Sequence, residues 1–267
     1  MRCPDFPQKA SRLAFFAAVF FYVFMNCVMF DSPEEMSFLP YGDERAEHIK
    51  KYLKTQNGGE IFAAVKNAFL CKAKVREKAG GYSFEIAEKL ECAQPMQTTV
   101  AMAFARPQIA QRILFECACF GVKKLCFYAA EKGERDYMKA SLYSGKECEK
   151  WFVKGAQQAC NCFVPELECY ESLEKCLESL PESPDTLRVA PDIYEACEKM
   201  SKVLMASAKQ KTLLAFGAER GFNNAERDIL RKNGFVLANM VSDRVMRTDS
   251  ALIAALSLLC AVEELKC

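Results

Sequence analysis

Between Leu213 and Ala251 the chain sets a glycine-bounded turn and a loop with two arginines at intervals suited to holding a small molecule. The apolar run Leu213 to Phe216 stops at Gly217 and gives way to a tight loop, Gly217-Ala218-Glu219-Arg220-Gly221-Phe222. Asn223 then reads as an N-cap with Glu226 three residues on, the spacing of a capping box. The stretch FVLANMV repeats the plan, with a loop carrying Arg244 and Arg247 before a helix start at Thr248 and Asp249. Two such strand–loop–helix units side by side predict a ligand crevice at the strand ends of an α/β sheet. Glycine at 217 and 221 lets backbone approach a ligand closely, and the arginines can stabilise developing negative charge.

Other chemistries lose their usual support. His48 is the only histidine, so Ser–His or Cys–His catalysis is open only if His48 itself takes part. There is neither a Walker loop nor a G-x-G-x-x-G fingerprint. The fifteen cysteines are odd in number and irregular in spacing, which reads as buried hydrophobes and free thiols of a reducing compartment. Cys160, Cys162, Cys169 and Cys176 form the one cluster of note. No C-x-x-C occurs, and a helical pattern aims Cys176 sideways, so no metal site is expected.

The scaffold around these loops follows from hydrophobic pattern. At 267 residues, 51% hydrophobic and 27% charged, the chain is globular and long enough for one large or two ordinary cores. Short strands at CVMF, EIFAAV, FLCKAKV and YSFEI, with a helix over Arg45 to Lys54 and a hairpin at Gly80-Gly81, suit a small β-barrel-like domain. After Gln97 strands and helices alternate, which predicts a parallel sheet covered on both faces. Strands are expected at TTVAMAFA, VKKLCFY and Thr186 to Ala190. Helices are expected over Gln108–Phe120, Cys148–Ala159, Tyr170–Leu180 and Tyr194–Ala208. The segment SLPESPDTLRVAPD reads as a polar, exposed connection. The formal charge of +1 conceals a polarity: nine basic and five acidic residues from Asp43 to Lys78, against five and twelve from Glu147 to Met200. A nucleic-acid footprint therefore belongs to the first half, with an ordinary solvated surface as the alternative.

Residues 1 to 12 carry Arg2, Lys9 and Arg12 and are followed by LAFFAAVFFYVFMNCVMF, the form of a signal peptide or anchor. The alternative is that translation starts at Met25, with residues 1–24 an upstream extension.

From Met25 onward the chain resembles the SPOUT class of knotted methyltransferases, and within it the family that methylates uridine N3 in 16S ribosomal RNA. The resemblance rests on Met25-Asn26-Cys27-Val28-Met29-Phe30, on Arg45, His48, Leu53-Lys54 and Gly59-Glu60, and on Gln157-Gln158 to Pro165. Most specific are the Gly217–Phe222 loop with Glu226, like Gly-Pro-Glu-Gly-Gly-Phe, and Arg244-Val245-Met246-Arg247-Thr248-Asp249-Ser250-Ala251, like Arg-Ile-Leu-Arg-x-Glu-Thr-Ala. The chain departs from the pattern at Ala218, Arg220, Ser242, Asp249-Ser250, Cys119 and Asn161.

The resemblance implies a PUA-like β-barrel RNA-binding domain over 25–92 and a SPOUT methyltransferase domain with a C-terminal trefoil knot over 97–267. It also implies S-adenosyl-L-methionine as cofactor, the small ribosomal subunit as substrate, a cytoplasmic homodimer, and no metal or membrane. Phe216, Gly217, Glu219, Gly221, Val241, Ser242, Val245 and Met246 would hold the cofactor. Arg247 would stabilise the uridine anion, unless it braces the crevice by pairing with Asp249 or Glu219. Arg45, His48, Lys54, Lys72 and Lys74, with Arg76, would grip RNA phosphates, the alternatives being solvated strand lysines and a packed histidine. Tyr41 and Phe69 are weaker stacking candidates. Two other functions stay open: an RNA-binding relative that no longer catalyses, and a membrane-anchored protein through residues 1–24.

Overall fold

The computed structural model describes residues 27–134, 136–143, 145–240 and 244–266, so the reading of residues 1–24 lies outside it. Among the described residues no helix is long and apolar enough to cross a membrane.

Two sheets divide the chain. The first has five strands in the order β1-β3-β4-β5-β2. They are β1 (Val28–Phe30), β2 (Leu39–Pro40), β3 (Glu60–Val65), β4 (Phe69–Lys78) and β5 (Gly81–Leu90). β1 and β3 run parallel, the other pairs antiparallel. Alternation builds it: Cys71, Ala73 and Val75 are buried in the core with Phe30, Ile61 and Phe84, while Lys72, Lys74 and Arg76 point the other way. Helix α1 (Glu44–His48) continues as a π turn over Ile49–Leu53 and buries Ala46 and Ile49 against the same core.

The second sheet has seven strands, all paired in parallel, in the order β10-β12-β9-β11-β6-β7-β8. In chain order they are β6 (Met96–Ala103), β7 (Val122–Tyr128), β8 (Glu166–Tyr170), β9 (Thr186–Pro191), β10 (Glu198–Lys199), β11 (Lys211–Phe216) and β12 (Val236–Asn239). Helices α2 (Pro107–Phe120), α3 (Gly145–Gln158), α5 (Met200–Ala206) and α7 (Thr248–Lys266) cover one face, meeting Val100, Met102, Leu125 and Leu214. Helices α4 (Leu173–Ser179) and α6 (Asn224–Lys232) cover the other, meeting Ala101, Ala103, Cys126 and Leu213. Strands buried on both faces are the reason their sequences are continuously apolar. Cys27, Met29, Ala64 and Leu70 join the first of these two cores, so the sheets share a packed boundary.

Four readings need correction. Tyr170 ends an edge strand, β8, and does not start a helix; Ser172 caps α4 by accepting from the Lys175 amide at 3.2 Å. Its residues, ELECY, are charged because only one side of the strand is paired. The helix expected from Tyr194 begins at Met200, because the Asp192 carboxylate captures the amides of Tyr194 and Glu195, both at 2.7 Å, and turns the chain. The strand expected at Thr186 to Ala190 is present as β9, but the segment that holds it is not an exposed connection throughout, since Val189 and Ala190 are fully buried between β11 and β12. That placement also separates the two strand–loop–helix units, which are not neighbours.

Candidate functional site

The crevice lies at the carboxyl ends of β9, β11 and β12 and is completed by the chain leading into α7. From β11, Phe216 passes its carbonyl to the buried Tyr128 hydroxyl, which donates at 2.9 Å. Burial pushes the Tyr128 phenol well above its ordinary value, so it stays a neutral donor. The loop that follows is closed on itself. Gly221 N–H donates to the Ala218 carbonyl at 2.7 Å, and Gly221 holds φ +70°, the left-handed region. A Cβ on Gly217 would lie 2.9 Å from the Phe222 nitrogen and 3.0 Å from the Gly221 carbonyl carbon. Only glycine at 217 lets the loop fold back this tightly.

The loop is anchored beyond the turn. Phe222 is buried, and its carbonyl accepts from Lys132 Nζ at 3.0 Å. Asn223 and Glu226 form the expected capping box at the start of α6: the Glu226 amide donates to Asn223 Oδ1 at 2.7 Å and the Asn223 amide to Glu226 Oε2 at 2.9 Å. Glu226 also accepts from the Glu131 amide, which ties α6 to the end of β7. It is a buried structural carboxylate, satisfied on both oxygens.

Of the expected ligand-contacting residues, Phe216, Gly217, Glu219, Gly221, Val245 and Met246 all line this cleft, together with Arg220 and Arg244. Val241 and Ser242 lie outside the described residues. The sequence reading missed the third wall, Pro191 to Tyr194 from β9, and Asn239 and Met240 from β12. The Pro191-Asp192 pair directly after the expected strand Thr186 to Ala190 was the available signal.

A second groove adjoins the first and shares Glu219, Val245, Met246 and Thr248 with it. Arg247 lines only this groove, with Arg106, Gln108, Ile109 and Asp249. Its side chain is 66% exposed, and Nε lies 3.6 Å from Asp249 Oδ1, a loose pair. Asp249, buried in the first turn of α7, also receives Arg112 at 3.3 Å. Glu219 is engaged by a different cation than expected: Arg106 Nε and Nη2 reach its two oxygens at 3.2 and 2.9 Å. This fork links the N-terminus of α2 to the Gly217 loop across the groove and raises the Arg106 pKa.

The residues expected to grip RNA divide into two sets. Lys72 and Lys74 share the outer face of β4 with Arg76. Glu88 pairs with Lys72 at 2.9 Å and Glu85 with Arg76 at 2.9 Å, so that face is close to neutral. On α1, Arg45 is held by Asp43, by Glu35 at 2.6 Å and by the Met29 carbonyl, an arrangement that braces β1 against the helix. His48 is half-buried and stacked on the exposed Tyr52 with ring centroids 5.3 Å apart; burial lowers its pKa. Lys54 ends the π turn in the left-handed region, exposed. Tyr41 hydrogen-bonds Glu77, and Phe69 lies under Lys89.

The four clustered cysteines do not converge. Cys162 Sγ lies 3.2 Å from Cys92 Sγ, while Cys176 lies beside Cys126 and Cys160 beside Cys27. Among the described residues no group of three or more His, Cys, Asp or Glu side chains could hold a metal ion.

Residues 92–260, which contain both grooves, match the RNA methyltransferase domain family. The chain belongs to that family. This RNA methyltransferase homologue is 27% identical over 246 residues to ribosomal RNA small subunit methyltransferase E of Treponema pallidum, covering 89% of this chain and 90% of that one. It is 25% identical over 236 residues to ribosomal RNA small subunit methyltransferase E 1 of Borreliella burgdorferi, covering 86% and 95%. Among solved structures it is similar to a ribosomal RNA small subunit methyltransferase E from Neisseria gonorrhoeae bound to S-adenosyl methionine. That likeness has a TM-score of 0.74 at 16% identity, over 89% of this chain and 98% of that one. A methyltransferase of Legionella pneumophila in complex with the bound cofactor SAM gives a TM-score of 0.72 at 20% identity, over 90% and 98%. The fold is thus the α/β SPOUT fold, and the chain is a divergent member of its class.

Proposed function

We propose that the chain transfers the methyl group of S-adenosylmethionine to N3 of a uridine in 16S ribosomal RNA. The observation that carries this reading is the pair of adjoining grooves, one walled by the Gly217 loop and one by Arg247, with Glu219, Val245 and Met246 common to both. The names of the similar proteins point the same way.

The residues present fit the cofactor. Its nucleoside needs an apolar slot with backbone close at hand, which Phe216, Met246, Tyr194 and the folded-back Gly217 loop supply. Its amino-acid end needs charged partners at the rim, where Arg220 and Arg244 lie. When bound, S-adenosylmethionine supplies a sulfonium-activated methyl. The chain must then align the acceptor nitrogen with that methyl, which two grooves sharing a wall accomplish by proximity. Uridine N3 becomes nucleophilic when its proton leaves. The Arg247 guanidinium, loosely tied to Asp249, would hold the ring carbonyls and favour the anion.

In this reading residues 25–92 form a PUA-like RNA-binding domain, with His48 of α1, Tyr52 and Lys54 of the π turn that follows it, and Lys72 and Lys74 of β4 on its surface. Residues 97–267 form the SPOUT domain, and its knot is supported by the strand order β12-β9-β11 and by the return of α7 against α2 and α5. The protein works as a cytoplasmic homodimer. Primer extension through 16S RNA from a strain lacking the gene tests the reading. It predicts a stop at one uridine that is present with the gene and absent without it. An unchanged pattern of stops would remove 16S uridine N3 as the substrate.

A further inference from the structure

The loop after β9 is held by more than its own turn. The Asp192 side chain, 2% exposed, accepts from the Tyr194 and Glu195 amides at 2.7 Å and from Arg227 Nε at 2.9 Å. Its own amide donates to the Ala238 carbonyl at 3.0 Å, which fixes it to β12. Arg227, on α6 and 5% exposed, also donates to Asn224 Oδ1 at 3.1 Å. Its guanidinium lies 5.4 Å from the centre of the Tyr194 ring. Tyr194 is nevertheless 73% exposed and lines the cleft. A buried ion pair is a weak device for stability, because desolvation offsets much of the attraction. Here it does something specific: it fixes backbone and ring of one exposed aromatic at the mouth of a ligand site.

The ring also bounds a slot. A Cβ built on Gly221 would lie 3.9 Å from Tyr194 Cε2, so the tyrosine edge and the turn of the Gly217 loop stand close together across the opening. Asp192 and Arg227 cancel each other's charge, so the ring is held without placing net positive charge beside a site that receives a sulfonium cation.

We propose that Tyr194 is the aromatic wall on which the adenine ring of the cofactor stacks, and that Asp192 and Arg227 are positioning residues for it. This rests on the cofactor assignment made above. Calorimetric titration of the full chain with S-adenosylhomocysteine, and with methylthioadenosine, which keeps the adenosine and lacks the amino acid, tests it. Tyr194→Ala should weaken both ligands by about tenfold or more, in the range of base–aromatic stacking, with an unchanged unfolding temperature. Tyr194→Phe should restore both. Arg227→Gln should weaken both in the same direction and add nothing in the Tyr194→Ala background, the non-additivity expected of residues acting through one another. Equal affinity of Tyr194→Ala and the unaltered chain overturns the wall. Loss for S-adenosylhomocysteine but not for methylthioadenosine overturns the adenine assignment. Additive losses overturn the positioning role, and if Arg227→Gln does not fold, Glu195→Gln beside Arg227 replaces it in the same cycle. An unaltered chain that binds neither ligand overturns the cofactor assignment itself, and the wall with it.

Discussion

Replacing Gly217 by alanine separates two ways in which a glycine can matter in this loop. The new Cβ would meet the Phe222 nitrogen at 2.9 Å, the Gly221 carbonyl carbon at 3.0 Å and Phe222 Cδ1 at 3.2 Å. Two of these are backbone atoms, so no flexible side-chain end can swing aside. Relief to ordinary contact requires the loop to open by roughly 0.5 Å, against a dispersion and packing penalty of about 1–3 kcal/mol. The buried Phe222 ring, its Lys132 hydrogen bond and the 2.7 Å turn bond all resist that opening. Reduced freedom of the unfolded chain returns only about 0.4–1 kcal/mol, so the clash wins. A net loss of about 1–2 kcal/mol corresponds to a fall in Tm of about 2–8 °C for a chain of this size. At Gly221 nothing lies closer than 3.9 Å, and the cost is that of an alanine in the left-handed region, about 1–2 kcal/mol. The two variants should therefore lose similar stability in thermal unfolding. They should differ in calorimetry with S-adenosylhomocysteine, where Gly217→Ala, which deforms the loop, loses more affinity than Gly221→Ala, which only strains it. A Gly217→Ala chain that unfolds within a degree of the unaltered one and binds as tightly would show that the loop does not depend on the close approach at Gly217.

Arg247→Ala should leave stability within about 0.5 kcal/mol, since the side chain is exposed and its pair with Asp249 is loose. It should also lower kcat for methyl transfer by about a hundredfold or more; full activity in a single-turnover assay would return Arg247 to a bracing role. Asp43 caps α1 and takes hydrogen bonds from the Arg45 amide and guanidinium, which hold its carboxyl below the usual value. A depressed folded pKa stabilises above the ordinary aspartate pKa and is lost as pH falls through the folded value. Asp43→Ala should therefore cost about 1 kcal/mol near neutrality, with the difference narrowing below about pH 4 in urea titrations; an equal gap at both pH values would count against the assignment. In native thiol labelling followed by mass spectrometry, Cys197 should react ahead of Cys169, since both residues are exposed but desolvation of the sulfur pushes the Cys169 thiol up to about 11. Fully buried Cys117, Cys126 and Cys176 should react only on unfolding, and early labelling of any of them would contradict the core packing.

Legibility in the sequence followed how local each determinant was. The Gly217 loop and the capping box at Asn223 were readable because both are set by residues within ten of one another, and the structure closes them with short-range bonds. Strand alternation around Lys72 to Arg76 was readable for the same reason. The order of the large sheet was not. Nothing in Thr186 to Pro191 says that it inserts between β11 and β12, because that is decided by which faces remain to be buried once α4 and α6 have packed. Nor could the sequence pair Arg106 with Glu219, or Asp192 with Arg227, which are 113 and 35 residues apart. Both pairs border the grooves, so the parts of the site that depend on long-range closure were those least visible beforehand.

The departures from the family pattern can be weighed by where their side chains fall. Ala218 stands where proline is expected, yet its methyl packs into the core with Phe222 and Leu213, and its carbonyl still receives the Gly221 amide. Arg220 stands where glycine is expected, but it lies at the exposed position of the turn and lines the cleft rim. The turn needs positive φ at Gly221, where glycine is retained, and close approach at Gly217, where it is also retained. At these two positions substitution has fallen where the side chain can point away from the backbone cradle. What it alters is the charge at the rim, where a cation now sits. Divergence of this kind adjusts which polar group is held at the mouth and leaves the backbone geometry that would hold a nucleoside in place.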